Sequence, residues 1–188
     1  MKKLLAAAII LSSLSLGACT ETPSMNNTYQ SGDGTVTEFK IAARSTAVQW
    51  AGVDSDGIPL SSANLTDAVT VLNFWYASCP PCRVETPDLV SLAKEFDGQA
   101  QFVGVNVRDS AETANAFKRN FKVNYPTLID ANTGDVVLAF TGVVTPSAVP
   151  TTLVIDRQGR VAARILGLAE KATLRALIKS VIAEALPD

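Results

Sequence analysis

Val71-Leu72-Asn73-Phe74-Trp75-Tyr76-Ala77-Ser78-Cys79-Pro80-Pro81-Cys82-Arg83-Val84-Glu85-Thr86-Pro87 decides how the rest of the chain is read. An apolar, β-prone run feeds directly into Cys-Pro-Pro-Cys, and the residues beyond carry a helical pattern. Two thiols therefore fall where a buried strand gives way to a helix N-terminus. Unpaired N–H groups and partial positive charge at such a terminus favour a thiolate over a thiol, which makes Cys79 the expected nucleophile. The pattern points to a dithiol/disulfide redox centre formed by Cys79 and Cys82.

Composition narrows the alternatives. The chain has 188 residues, 47% hydrophobic and 18% charged, as expected of one globular domain with an addition at one end. Beyond residue 18 it carries 14 basic and 18 acidic side chains, net −4, and no long basic run, so nucleic-acid binding is not expected. Histidine is absent. That excludes Ser-His-Asp and Cys-His catalysis, His-ligated copper or zinc, and haem attachment through Cys-x-x-Cys-His. One Cys-x-x-Cys cannot complete a tetrahedral zinc site within the chain, and no metal or other cofactor is expected.

Residues 1–18 have the form of an export signal, with Lys2 and Lys3 ahead of an apolar stretch that small residues close. That stretch, about 13–15 residues, falls short of the roughly 20 a membrane span needs. Its end, Leu16-Gly17-Ala18-Cys19, resembles the lipobox of bacterial lipoproteins, which implies cleavage before Cys19 and a lipid on its sulfur. An ordinary signal peptide that leaves Cys19 free is the alternative. Residues 19–45 are rich in Ser, Thr, Asn, Gly and Pro without apolar periodicity, and read as a lipid anchor and flexible linker. The domain is expected at 46–188. It opens with a short hairpin turning at Asp54-Ser55-Asp56-Gly57. Strands follow at 68–76 and 101–107, and helices at 80–97, kinked by Pro87, and from Asp109-Ser110 to Phe121. Residues 131–142 are ambiguous between a turn and a short helix. A strand at 150–156, a turn at 157–160, a strand at 161–166 and an amphipathic helix at 171–186 complete the chain. Strands alternating with helices and then a terminal hairpin indicate an α/β domain with a mixed sheet.

The site and the order of elements resemble the thioredoxin fold, and more closely the membrane-tethered thiol–disulfide oxidoreductases of the TlpA/ResA type, which include cytochrome c maturation reductases. The resemblance covers about residues 46–185. It rests on Asn73-Phe74-Trp75, Cys79-Pro80-Pro81-Cys82-Arg83, Glu85-Thr86-Pro87 with Leu89, and Val149-Pro150-Thr151-Thr152. Weaker support comes from Val103-Gly104-Val105-Asn106 and Ile155-Asp156-Arg157-Gln158-Gly159. It implies a thioredoxin-like fold: a central mixed sheet flanked by helices, with an N-terminal hairpin extension. It also implies a cis Val149–Pro150 bond facing the dithiol, with the Val149 backbone open to an extended substrate, and an acid at Glu85 that serves the dithiol. Two positions depart from the pattern. Ser78 stands where the family commonly has Trp, and Asn73 stands where thioredoxins proper have Asp.

Each residue also has a plainer reading. A disulfide closing four residues removes little unfolded-state entropy, about 2 kcal/mol, so Cys79–Cys82 is better explained as a redox pair than as a staple. Glu85 is either a solvated helix acid or a proton acceptor for Cys82. The second role requires burial and a raised pKa. Asn73 reads as a hydrogen-bonding strand residue, and Phe74 and Trp75 as core. Trp75, Pro80, Pro81 and Val149 are candidate substrate contacts, and Arg83 is expected to be exposed. The expected activity is reduction of disulfides in exported cysteine-containing proteins, fed by a membrane electron donor. The rivals are a disulfide-forming oxidase, a thiol peroxidase, and a lipoprotein that binds a metal or partner through its thiols without turnover.

Overall fold

The computed structural model describes residues 26–31, 34–65, 67–143 and 148–184. The export signal and Cys19 lie outside the described residues. In chain order the elements are β1 (Asn26–Ser31), β2 (Gly34–Phe39), β3 (Ala51–Val53), β4 (Pro59–Ser61), β5 (Val69–Trp75), α1 (Pro80–Glu95), β6 (Ala100–Asn106), α2 (Ala111–Phe121), β7 (Thr127–Ile129), α3 (Asp135–Ala139), β8 (Thr151–Ile155), β9 (Val161–Gly167) and α4 (Lys171–Ile182). Seven strands form one mixed sheet in the order β1-β2-β9-β8-β5-β6-β7. β5, β6 and β7 run parallel, whereas β5–β8, β8–β9, β9–β2 and β2–β1 are antiparallel. The expected hairpin at the domain start is the separate β3–β4 pair, turned at Gly57 with φ 85°.

β5 lies inside the sheet and is buried at every residue, because both faces are covered. Its period-two alternation divides the core. Val69 and Val71 pack on the side of α1 and α4, with Leu89, Leu92, Leu174 and Ile178. Leu72 and Phe74 face the other side, with Trp50, Leu128, Val136 and Phe140. Each such buried Leu, Val or Phe contributes about 1.5–3 kcal/mol relative to an exposed one. The same alternation turns Asn73 and Trp75 to the α1 side, where Asn73 meets Glu85 and Trp75 packs with the two cysteines.

One boundary differs from the sequence reading. The tether expected over 19–45 contains β1 and β2, and β2 pairs with β9 from Gly34↔Gly167 to Glu38↔Ala163. Val36 is buried in the core and Thr37 is buried beside it. The polar composition of this stretch hides a strand because its pairing partner lies far along the chain. The ambiguous 131–142 stretch contains α3, which starts after Gly134 at φ 70°. α1 continues to Glu95 through Pro87.

A buried ionic cluster joins the two ends of the domain. Arg44 Nη1 donates to Asp156 Oδ2 at 2.9 Å, and Arg44 also donates to both carboxylate oxygens of Glu184, just beyond α4. Arg160 Nε donates to the same Asp156 oxygen at 2.9 Å.

Candidate active site

The polypeptide leaves β5 through Tyr76-Ala77-Ser78 and enters α1 at Cys79, which is the N-cap. Pro80 and Pro81 occupy the first helical positions, where no N–H is needed and φ is already suitable. Cys79 and Cys82 form a disulfide. The Cys82 N–H donates to Cys79 Sγ at 3.2 Å, so an unpaired amide of the helix start already points at this sulfur. Both cysteines are buried, among Trp75, Ala114 and Phe117, with Tyr76, Ala77 and Val149 packed against them. Pro80 is exposed and Pro81 half-buried.

Three side chains behind the dithiol are tied together. Glu85, one helical turn beyond Cys82, is 1% exposed, which removes the solvated reading. Its Oε1 accepts from Asn73 Nδ2 at 2.7 Å, and its Oε2 accepts from the Ala169 amide at 2.8 Å. Asn73 Nδ2 also donates to Thr152 Oγ1 at 3.1 Å, and Asn73 and Thr152 are paired across β5 and β8. No cation pairs with Glu85 among the described residues. Burial raises its pKa to about 7, against the pull of the Ala169 amide and the Asn73 side chain. Burial, and then the charge of Glu85, push the Tyr125 phenol further up from its ordinary value.

The turn before Cys79 is braced from the end of β6. Asp109 Oδ2 accepts from the Ala77 amide at 2.6 Å and from Asn106 Nδ2 at 2.8 Å, while Asn106 Oδ1 accepts from the amides of Arg108 and Asp109. The helix cap expected from Asp109-Ser110 is therefore divided: Ser110 caps α2, and Asp109 holds the dithiol turn. Trp75 packs on Phe117 with ring centroids 4.4 Å apart. Gly104 makes room for its indole, since a Cβ there would lie 2.9 Å from Trp75 Nε1.

Val149–Pro150 is a cis peptide, and Val149 packs in the same cluster as the cysteines. The structure thus brings Cys79, Cys82, Trp75, Pro80, Pro81 and Val149–Pro150 to one end of the sheet, with Glu85 beneath. The sequence reading missed Asp109, Thr152 and Tyr125 as neighbours of the site. Asn106 carried a visible signal, a polar residue closing the apolar run 102–105. Among the described residues, no group of three or more His, Cys, Asp or Glu side chains is placed to hold a metal ion.

Residues 40–164 match the AhpC/TSA family. The chain belongs to that family. It is similar to the thiol:disulfide interchange protein HelX of Rhodobacter capsulatus, with 36% identity over 110 residues, 58% of each chain. It is similar also to the thiol-disulfide oxidoreductase ResA of Bacillus subtilis, with 30% identity over 115 residues, 61% of this chain and 62% of the relative. The matches thus span about three-fifths of those relatives' lengths. Among solved structures, a DsbF homologue from Corynebacterium diphtheriae superposes with a TM-score of 0.70 at 28% identity, covering 88% of this chain and 98% of the other. The fold is thioredoxin-like, with a mixed central sheet flanked by helices, as the sequence resemblance implied.

Proposed function

We propose that this protein is a thiol–disulfide oxidoreductase that reduces disulfides in exported proteins. The observation that carries the reading is the Cys79–Cys82 disulfide across the first turn of α1, with the buried Glu85, which faces no cation among the described residues, one turn further on. In the reduced form, Cys79 is the thiolate that the helix start favours. It attacks one sulfur of a partner disulfide, forming a mixed disulfide and releasing the other partner sulfur as a thiolate, which takes up a proton. Cys82 then gives its proton to the Glu85 carboxylate and attacks Cys79 Sγ. The bond between Cys79 and the partner breaks, the second partner sulfur leaves as a thiolate that takes up a proton, and two electrons have passed from the dithiol to the partner. A membrane electron donor restores the dithiol. The Glu85 pKa near 7 sets a direction for pH: the resolving step slows as pH falls below about 7, because the acceptor is then already protonated.

The cis Val149–Pro150 segment beside the sulfurs offers main chain to an extended partner. Pro80 and Pro81 form the rest of that contact, and Trp75, buried against the cysteines, supports it from within. The chain acts outside the cytoplasm, held to the membrane by lipid on Cys19. No helix among the described residues is long and apolar enough to cross a membrane.

Cys82→Ser tests the roles. It is expected to accumulate mixed disulfides on Cys79 in cell extracts, seen as adducts that dithiothreitol removes. Adducts that form only with Cys79→Ser would reverse the assignment of the two cysteines, and none with either would end the exchange reading. The reduction potential sets the direction. A value near about −270 mV fits a donor-fed reductase, whereas about −120 mV would make the protein a disulfide-forming oxidase.

A further inference from the structure

The turn that delivers Cys79 is flanked by two guanidinium groups. Arg83, directly after Cys82, is exposed, and its Nη1 donates to Ala77 O at 3.1 Å. Its charged head lies 5.0 Å from the ring centroid of Phe121 and 5.7 Å from that of Phe117. Arg108, in the loop after β6, is exposed, with its head 4.2 Å from the ring centroid of Tyr76. Tyr76 is part of the same turn, since its carbonyl accepts from the Cys79 amide at 3.2 Å. Neither arginine forms an ion pair among the described residues, whereas Arg44, Arg160 and Arg175 each do.

The carboxylate in this hydrogen-bond network is Asp109, which already accepts from Ala77 N and Asn106 Nδ2. Two cations against one committed anion leave this rim positive, on a chain whose net charge is −2. The aromatic faces hold both heads in place before a partner arrives. Less side-chain freedom is then lost when a carboxylate engages them. Arg83 spends one of five N–H donors on Ala77 and keeps the others for a ligand.

We propose that Arg83 and Arg108 select polypeptide partners whose reacting cysteine is flanked by acidic side chains. This rests on the thiol-exchange reading and names the substrate class of that same site. A partner carboxylate within a few ångströms of its disulfide pairs with one guanidinium as Cys79 meets the sulfur. Charge pairing of this kind speeds encounter, discriminates against basic partners and weakens with salt.

The test uses the reduced protein and three synthetic peptides that share one disulfide and differ only in flanking Glu, Gln or Lys residues. At about 0.02 M salt the Glu peptide is expected to exchange about tenfold faster than the Lys peptide, and at about 0.3 M salt the difference shrinks to about twofold. In R83Q/R108Q the Glu-to-Lys ratio is expected to fall to about one, and R83K/R108K is expected to keep most of it. Equal rates for the three peptides with the unaltered protein, or an unchanged ratio in R83Q/R108Q, would overturn the proposal. Failure of the unaltered protein to exchange with any of the three would overturn the exchange reading first, and this proposal with it.

Discussion

Glu85 and Asp156 are both buried acids, 1% and 4% exposed, and they have been given opposite surroundings. Glu85 accepts one side-chain amide and one main-chain N–H and faces no cation among the described residues. Asp156 accepts from Arg44 and Arg160 and from the amides of Gln158 and Arg160. Burial pushes both pKa values up. For Asp156 the Arg160 amide and the two guanidinium groups override that push and hold the group below its ordinary value. For Glu85 nothing does, and the group sits near 7. Depth therefore does not decide what a buried carboxylate is for. The counter-charge does: with cations the acid ties chain segments together, and without them it is ready to exchange a proton.

The largest test of this contrast is Asp156→Asn. It leaves Arg44 with Glu184 as its one carboxylate partner among the described residues and Arg160 without its carboxylate, and is expected to cost about 3 kcal/mol in denaturant unfolding at pH 7. A loss under about 1 kcal/mol would show that the cluster is not a staple. Next is Glu85→Gln. Glu85 binds its proton more tightly in the folded than in the unfolded chain, so its contribution to stability is full below its ordinary value and is lost as pH rises through about 7. Between pH 4 and pH 8 the unaltered protein is thus expected to lose about 2 kcal/mol of stability that the glutamine variant does not lose. An equal pH dependence in the two proteins would break the comparison. Asp156 runs the other way: its stabilisation is present above the ordinary aspartate value and fades as pH falls through its lowered folded value. Smallest is Thr152→Val, which removes one of two acceptors of Asn73 Nδ2 and is expected to cost about 1 kcal/mol. A shift of the Glu85 titration followed by NMR in that variant would sharpen the picture by showing how far Asn73 sets it.

Much of this was legible in the sequence where the signal was local. The continuous apolar run ending at Trp75 marks a strand covered on both faces, and the Pro-Pro after Cys79 marks a helix start. Gly57 marked a hairpin turn. What remained hidden depended on residues distant in the chain. The stretch 34–39 carries Thr, Val and Phe, but it is short and follows a Ser-, Asn- and Gly-rich run, and nothing local names the partner, β9, that makes it a strand. Glu85 could be singled out by its place one turn beyond Cys82. Its burial depends on Ala169 and Asn73, which no spacing rule connects to it. Asp109 looked like a helix cap because Asp and Ser are equally good caps. The structure gives the cap to Ser110 and frees Asp109 for the Ala77 amide.

The clamp between Arg44 and Glu184 joins residues 140 positions apart. The antiparallel neighbour of β5 is β8, and the partner of β2 is β9, so the sheet on that side is built from late segments. A chain that emerges N-terminus first, from a ribosome or through an export channel, presents Cys79 and Cys82 well before the residues that complete their surroundings have appeared. The dithiol thus passes through an interval in which both sulfurs are open to any oxidant or thiol nearby. Only when β8, β9 and Glu184 arrive do β5, β2 and Arg44 gain these partners, and timing as well as geometry then determines with which sulfur each cysteine first bonds.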